Sequence, residues 1–190
     1  VFKGMRNEVV ISTKYGYDFA NAEQIGHAEL PQSFEPEFTR KALDASLQRL
    51  QTDYVDVYGL HNPKLNHIRD DITFNLFDKL IQEGKIKSSQ VALGPAIGWT
   101  QEGLEAMERK SVTAVQTVYN ILEQTPGNEL IEKAEKQNVG ILVRVPDASG
   151  ILTGKVKAET VIPSNDHRKD RKQEWRQEAL KKVEQFRPIA

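Results

Sequence analysis

The chain has 190 residues, enough for one sizeable core but short of two ordinary domains. Lys+Arg is 26 against 27 for Asp+Glu, and the net charge of −1 excludes the basic surface field that non-specific nucleic-acid binding needs. With no cysteine, disulfides, thiolate chemistry and Cys-ligated zinc are excluded, and no apolar run approaches the roughly 18 residues of a membrane span.

The N-terminus, Val1-Phe2-Lys3-Gly4-Met5-Arg6-Asn7, has no signal-peptide core, so a cytoplasmic location is expected. Starting at Val1 rather than at a methionine suggests a chain that begins partway through something longer.

In chain order, short β-branched runs alternate with amphipathic segments. Glu8-Val9-Val10-Ile11-Ser12-Thr13 reads as a first strand. Pro36 suits the first turn of a helix, followed at helical spacing by Phe38, Ala42, Leu43, Ser46, Leu47 and Leu50. Tyr54 to Leu60 is the second strand; His61 follows it at once, and Pro63, lacking an N–H, stops it from continuing.

Asp70 and Asp71 cap a helix whose buried stripe is Leu76, Phe77, Leu80 and Ile81, and Gly84 ends it. Val91-Ala92-Leu93 reads as the third strand, and Thr100 starts a helix through Leu104 and Met107. Thr113 to Val118 is the fourth strand. Thr125-Pro126 opens a helix carried by Leu130, Ile131 and Ala134, with Asn138 as a left-handed cap. Gly140-Ile141-Leu142-Val143 is the fifth strand, and a charged stretch from Asp166 leads to a last helix bearing Trp175, Ala179, Leu180 and Val183.

Strands each followed by a helix imply parallel pairing through right-handed crossovers, in an α/β fold. An open doubly wound sheet usually announces itself with a Gly-rich phosphate loop after the first strand. Here that strand leads into Lys14-Tyr15-Gly16-Tyr17, so a (β/α)8 TIM barrel is favoured, with only about five β/α units present. Residues 1–190 are then a single, partial TIM-barrel domain.

Barrel enzymes place their chemistry at the C-terminal ends of the strands. Those ends carry Lys14, His61, Gly94, Gln116 and Arg144. A lone strand-end lysine is more often a solvated charge, and a lone histidine more often a structural one. Their shared position is what makes them a candidate site. His61 and His67 are six residues apart with no matching third ligand, so no metal site is expected. Arg168, Lys169, Arg171 and Lys172 are interleaved with acids and read as a solvated face.

Ile11-Ser12-Thr13-Lys14, Leu47-Gln48-Arg49-Leu50 with Asp53-Tyr54-Val55-Asp56, Leu60-His61-Asn62-Pro63, and Gly84-Lys85-Ile86 form one set of short motifs. Val115-Gln116-Thr117-Val118-Tyr119-Asn120 and Gly150-Ile151-Leu152-Thr153-Gly154-Lys155 continue it. In this order and spacing, up to about residue 155, the chain resembles the aldo/keto reductases.

The resemblance implies a (β/α)8 barrel that uses NADPH, or less often NADH, to reduce an aldehyde or ketone. It makes Lys14 the family's catalytic lysine and His61 its catalytic histidine, with Tyr15 and Asn62 beside the carbonyl substrate. Gln116 matches the glutamine that holds the nicotinamide carboxamide, and Ser149, Gly150, Ile151 and Lys155 match a loop along the pyrophosphate. Two departures stand out. Gly94-Pro95 replaces the family's Ser-Asn, and Arg144, whose guanidinium plane can also stack on a ring, replaces the aromatic residue that stacks on nicotinamide.

The family's catalytic Asp and Tyr lie before the lysine strand, yet only 13 residues precede Lys14 and none is Tyr. A whole barrel needs ~250 residues. The chain therefore reads as an internal fragment, inactive alone, whose open arc is unstable or is covered in a homo-oligomer. Two other functions stay open: a non-catalytic cofactor-sensing or partner-binding module on the same fold, and a different barrel enzyme acting on a phosphorylated substrate.

Overall fold

A computed structural model describes residues 4–19, 30–94, 98–186 and 188. Five parallel strands pair in the order β1-β2-β3-β4-β5: Ser12–Tyr15, Val55–His61, Ile86–Ala92, Val112–Val118 and Gly140–Arg144. Between them run α1 (Pro36–Leu50), α2 (Leu65–Ile68), α3 (Asp71–Gln82), α4 (Thr100–Ala106) and α5 (Gly127–Gln137), with α6 (Gln173–Phe186) after β5.

That sequential order decides between the two architectures. A doubly wound sheet reverses direction once, which sends helices to both faces. Here every right-handed crossover steps the same way, so the helices share one face and the sheet is an arc of a (β/α)8 barrel.

Register sorts the side chains. Ser12 pairs with Val57 and Lys14 with Gly59, so Ser12 and Lys14 share the inner face with Val57, Gly59 and His61. The same face continues through Gln90 and Ala92, then Gln116, Leu142 and Arg144. On the other face Tyr58, Leu60, Val91 and Val115 are buried with Leu43, Phe77, Leu80 and Leu130 of the helices. A smaller core forms where α6 packs on the loop after β5, around Ala148, Ile151, Val156 and Ala179.

The helix signals hold. Asp70 accepts from Ile72 N at 3.1 Å and from Thr73 Oγ1 at 3.0 Å, starting α3, and Gly84 leaves it at φ 72°. Pro36 opens α1 and Asn138 closes α5 in the left-handed region. Gly59 has a packing reason: a Cβ there would lie 2.2 Å from Gln90 O and 2.3 Å from Gln90 Cγ. The Gln90 side chain crosses this gap to donate to Ser12 Oγ at 2.8 Å.

Two strands differ from the sequence reading by more than one residue. The first strand is Ser12–Tyr15, not Glu8–Thr13. Arg6–Glu8 is wound into a 3-10 turn, because the Arg6 guanidinium bonds Val9 O, Tyr54 O and Asp56. The third strand starts at Ile86 and ends at Ala92, earlier than the apolar run suggested. Its polar residues are satisfied in place: Ser88 Oγ donates to Asp56 O at 3.2 Å and Ser89 Oγ to Ser111 O at 2.5 Å.

Candidate active site

The inner face converges at the C-terminal strand ends. Lys14 reaches across β2 and β3 to donate to Gln116 Oε1 at 3.2 Å. This path is open because Gly59, beside Lys14 in register, has no side chain. Arg144, two residues beyond Leu142 on the same face, donates through Nη1 to Leu93 O at 3.0 Å. Its head group therefore lies across β4 at the end of β3, next to Ala92, the register partner of His61. Four strand-end residues widely spaced in sequence thus meet at one mouth.

The electrostatics of that mouth are one-sided. His61 is pushed down to about 4, first by burial and then by the charges of Lys14 and Arg144, so its imidazole is neutral at pH 7. Lys14 is lowered by burial and by Arg144. A neutral imidazole can donate one hydrogen bond to a carbonyl oxygen, and the ammonium adds a positive charge that favours a developing alkoxide.

Tyr17, which the motifs did not single out, belongs to this site. Gly16, at φ 143°, lets the chain turn where a Cβ would meet Phe34 Cε1 at 2.8 Å and His61 O at 3.3 Å. The turn brings the Tyr17 ring edge-on to His61, 5.1 Å between centroids. Asn62, at φ 53°, donates from Nδ2 to Tyr17 Oη at 2.8 Å, while its Oδ1 is shielded from solvent without a partner among the described residues. The only signal for Tyr17 in the sequence was the glycine before it.

Tyr15 is not where the sequence reading put it. It points to the helix side of β1, stacked on Tyr58 at 4.9 Å and edge-on to Phe34 and Phe77. It is 6% exposed, and burial pushes its phenol up. Strand alternation explains this: Lys14 faces the mouth, so its neighbour cannot.

The loop after β5 is a tight left-handed turn, with φ of 48° at Ala148, 60° at Ser149 and 90° at Gly150. Ile151, expected in a loop along the pyrophosphate, is 2% exposed in the smaller core and its N–H donates to Ala148 O at 3.3 Å, so its side chain and N–H serve the fold instead. A Cβ at Gly150 would meet Val156 Cγ2 at 3.1 Å and Arg168 Nη1 at 3.5 Å, so the Arg168 guanidinium lies against the bare backbone of the turn. Arg168 is aimed by Asp166, whose carboxylate takes two bonds from Nε and one from Nη2. With Lys155 exposed at its far end, the turn suits a negatively charged, phosphate-bearing group, and the Gln116 amide suits a carboxamide. The residues present fit a nicotinamide dinucleotide.

Other expectations fall elsewhere. His67 Nδ1 accepts from Lys64 N at 3.1 Å and caps a short turn. Pro95, half of the Gly94-Pro95 departure, lies outside the described residues; Gly94 packs under Trp99, where a Cβ would come within 2.2 Å of the indole. A cleft of about 550 Å³ beside α6 is lined by Glu123, Arg171 and Trp175 but by neither Lys14 nor His61.

A sequential parallel arc with lysine, histidine and glutamine converging at its C-terminal mouth defines an α/β barrel with a polar strand-end cluster. The family model of the aldo/keto reductase family matches residues 2–190, and the chain belongs to that family. It is 29% identical over 162 residues to the NADH-specific methylglyoxal reductase of Escherichia coli K12, covering 82% of this chain and 48% of that protein. It is also 29% identical over 173 residues, 87% of this chain and 47% of the relative, to a Schizosaccharomyces pombe aldo-keto reductase whose name specifies NADP(+).

Among solved structures, the glycerol dehydrogenase AKR11B4 of Gluconobacter oxydans shares the fold at TM-score 0.79 and 24% identity, over 99% of this chain and 57% of that one. The holo form of aldo-keto reductase AKR11C1 from Bacillus halodurans matches at TM-score 0.66 and 27% identity, over 87% and 50%. The chain spans about half the length of the curated relatives it matches.

Proposed function

We propose that this chain carries the carbonyl-binding mouth of an NAD(P)H-dependent reductase acting on an aldehyde or ketone. The observation that supports this best is the meeting of Lys14, His61 and Gln116 on one inner face, with Lys14 Nζ 3.2 Å from Gln116 Oε1. Gln116 would hold the nicotinamide carboxamide, while Ser149, Gly150 and Lys155 would lie along the phosphates. The bound cofactor supplies the hydride.

The chain's own residues would bind and polarise the carbonyl. The neutral His61 donates a hydrogen bond that orients the carbonyl, and Asn62 holds Tyr17 beside it. The Lys14 ammonium stabilises negative charge as it develops on oxygen. The Gly16 turn sets the Tyr17 ring edge-on against His61 at this point. The relatives' names include both NADH and NADP(+), and this reading spans both. It also includes a cytoplasmic location and contact with a second copy along the open edges of β1 and β5.

The test is a fluorescence titration of the natural full-length protein with NADPH and NADH, followed by turnover of a generic aldehyde. Lys14→Met and His61→Ala should each lose at least 100-fold in kcat/KM, in line with the loss of one charge-stabilising or acid–base group. Full activity in both variants would sink the assignment. Cofactor binding without any turnover would favour the non-catalytic sensing module instead.

A further inference from the structure

We propose that Arg144 makes this site discriminate against the oxidised cofactor, so that the mouth is biased toward carbonyl reduction rather than alcohol oxidation. The inference rests on the reading of Lys14 and His61 as the carbonyl site, and it assigns to that site a direction.

The first ground is position. Arg144 ends β5, yet its Nη1 donates to Leu93 O at 3.0 Å. The guanidinium is thereby drawn over β4 to the end of β3, and the strand bearing His61 is the next one, about 4.8 Å away.

The second ground is charge. Arg6, Arg40, Arg69, Arg109, Arg168 and Arg171 each face a carboxylate. Arg144 is held instead by a neutral carbonyl. The charges felt by His61 are Lys14 and Arg144, and the charge felt by Lys14 is Arg144; no carboxylate of the described residues shares in either. Among the described residues, Arg144 thus brings to a half-buried mouth a positive charge that is held by a neutral carbonyl.

The third ground is the geometry that any hydride transfer requires. The donor carbon must come within about 3–3.5 Å of the carbonyl carbon, whose oxygen sits at Lys14 and His61. A nicotinamide ring serving this site therefore lies inside the same field, whatever face it presents. Reduction would move a hydride from the bound cofactor to the carbonyl carbon and a proton, from solvent or an acid outside this chain, to its oxygen, leaving the nicotinamide cationic. Like charge at this range, in a half-buried site, disfavours the cationic form. Lys14 contributes to the same field but is needed for the carbonyl. Arg144 touches neither Gln116 nor His61 by hydrogen bond, so its charge can be removed separately.

The experiment measures affinities of the natural full-length protein for NADPH and NADP+ (or NADH and NAD+, whichever pair binds tighter) by fluorescence and calorimetry. The wild type should bind the reduced form at least tenfold more tightly, which corresponds to about 1.4 kcal/mol. Arg144→Gln should bring the two forms within threefold, mainly by tightening the oxidised one, and Arg144→Lys should keep the gap. A structural role alone would shift both affinities by the same factor. Equal affinities in the wild type, or an unchanged ratio in Arg144→Gln, would overturn the inference while leaving the proposed function standing. Failure of both forms to bind would overturn both.

A cofactor-free readout is the NMR titration of the His61 imidazole. Its midpoint should rise in Arg144→Gln, and an unmoved midpoint would show that the guanidinium does not act on the site.

Discussion

The two ends of the strands handle buried charge in opposite ways. At the N-terminal end, Asp56 has a side chain only 11% exposed, and it is met by Arg6 at 2.8 Å, Lys87 at 2.8 Å and the Ile11 N–H at 2.9 Å. Those bonds hold its carboxyl down at about 2 against the opposing effect of burial. At the C-terminal end, Lys14 and Arg144 stand near a neutral His61, and no carboxylate of the described residues contributes to the shift of His61 or Lys14. One end pairs its charge with opposite charge; the other, among the described residues, holds its two cations on neutral acceptors, Gln116 Oε1 and Leu93 O. This division of labour is the one barrels use generally, with stability at the bottom and chemistry at the top.

The contrast predicts that substitutions at the floor cost stability. Asp56→Ala strands Arg6 and takes a partner from the Ile11 N–H and Lys87, and should cost roughly 4 kcal/mol in urea unfolding. A loss under 1 kcal/mol would mean that the floor cluster is decorative. Between floor and mouth, Gly59→Ala drives a methyl into Gln90 and should cost about 3 kcal/mol. It should also blunt turnover, because the path of Lys14 passes over the same spot.

Acid separates the two ends further. Both groups have folded values below their unfolded ones, so in each case the unfolded chain takes up protons first and stability falls as pH drops. For His61, stability is full above about pH 6.5 and declines toward pH 4. For Asp56 the loss begins near pH 4 and continues toward pH 2, about 2 kcal/mol in all. Denaturant melts from pH 7 to 3 should show the first decline vanish in His61→Gln and the second persist. A single decline, unmoved by His61→Gln, would refute the assignment of the upper limb.

Much of this was legible in the chain itself, for identifiable reasons. Helices were readable because Asp70, Gly84, Pro36 and Asn138 act locally, through caps and fixed φ. The strand-end positions of Lys14 and His61 were readable because β strands have a fixed period and a histidine followed by Asn62-Pro63 marks where one stops.

What escaped depends on contacts made at a distance. The start of β1 was hidden because Val9, Val10 and Ile11 look like strand, while Arg6, through Tyr54 and Asp56, decides otherwise. The polar half of β3 was hidden because Ser89 and Gln90 find partners on Ser111 and Ser12, which no window of sequence contains. Tyr15 was misplaced by proximity to Lys14 in sequence, and Tyr17 overlooked for want of any motif, although the side chain that meets His61 is Tyr17's.

The most direct test of the division between floor and mouth is urea unfolding of Lys14→Met in the natural full-length protein, beside a measurement of its aldehyde turnover. If the ammonium is kept at the mouth for chemistry, its removal relieves repulsion with Arg144 and a desolvation cost. The unfolding midpoint should then stay where it is or rise, while turnover is lost. A Lys14→Met protein destabilised by more than about 1 kcal/mol would contradict the account, since Lys14 would then be holding the fold together as Asp56 does.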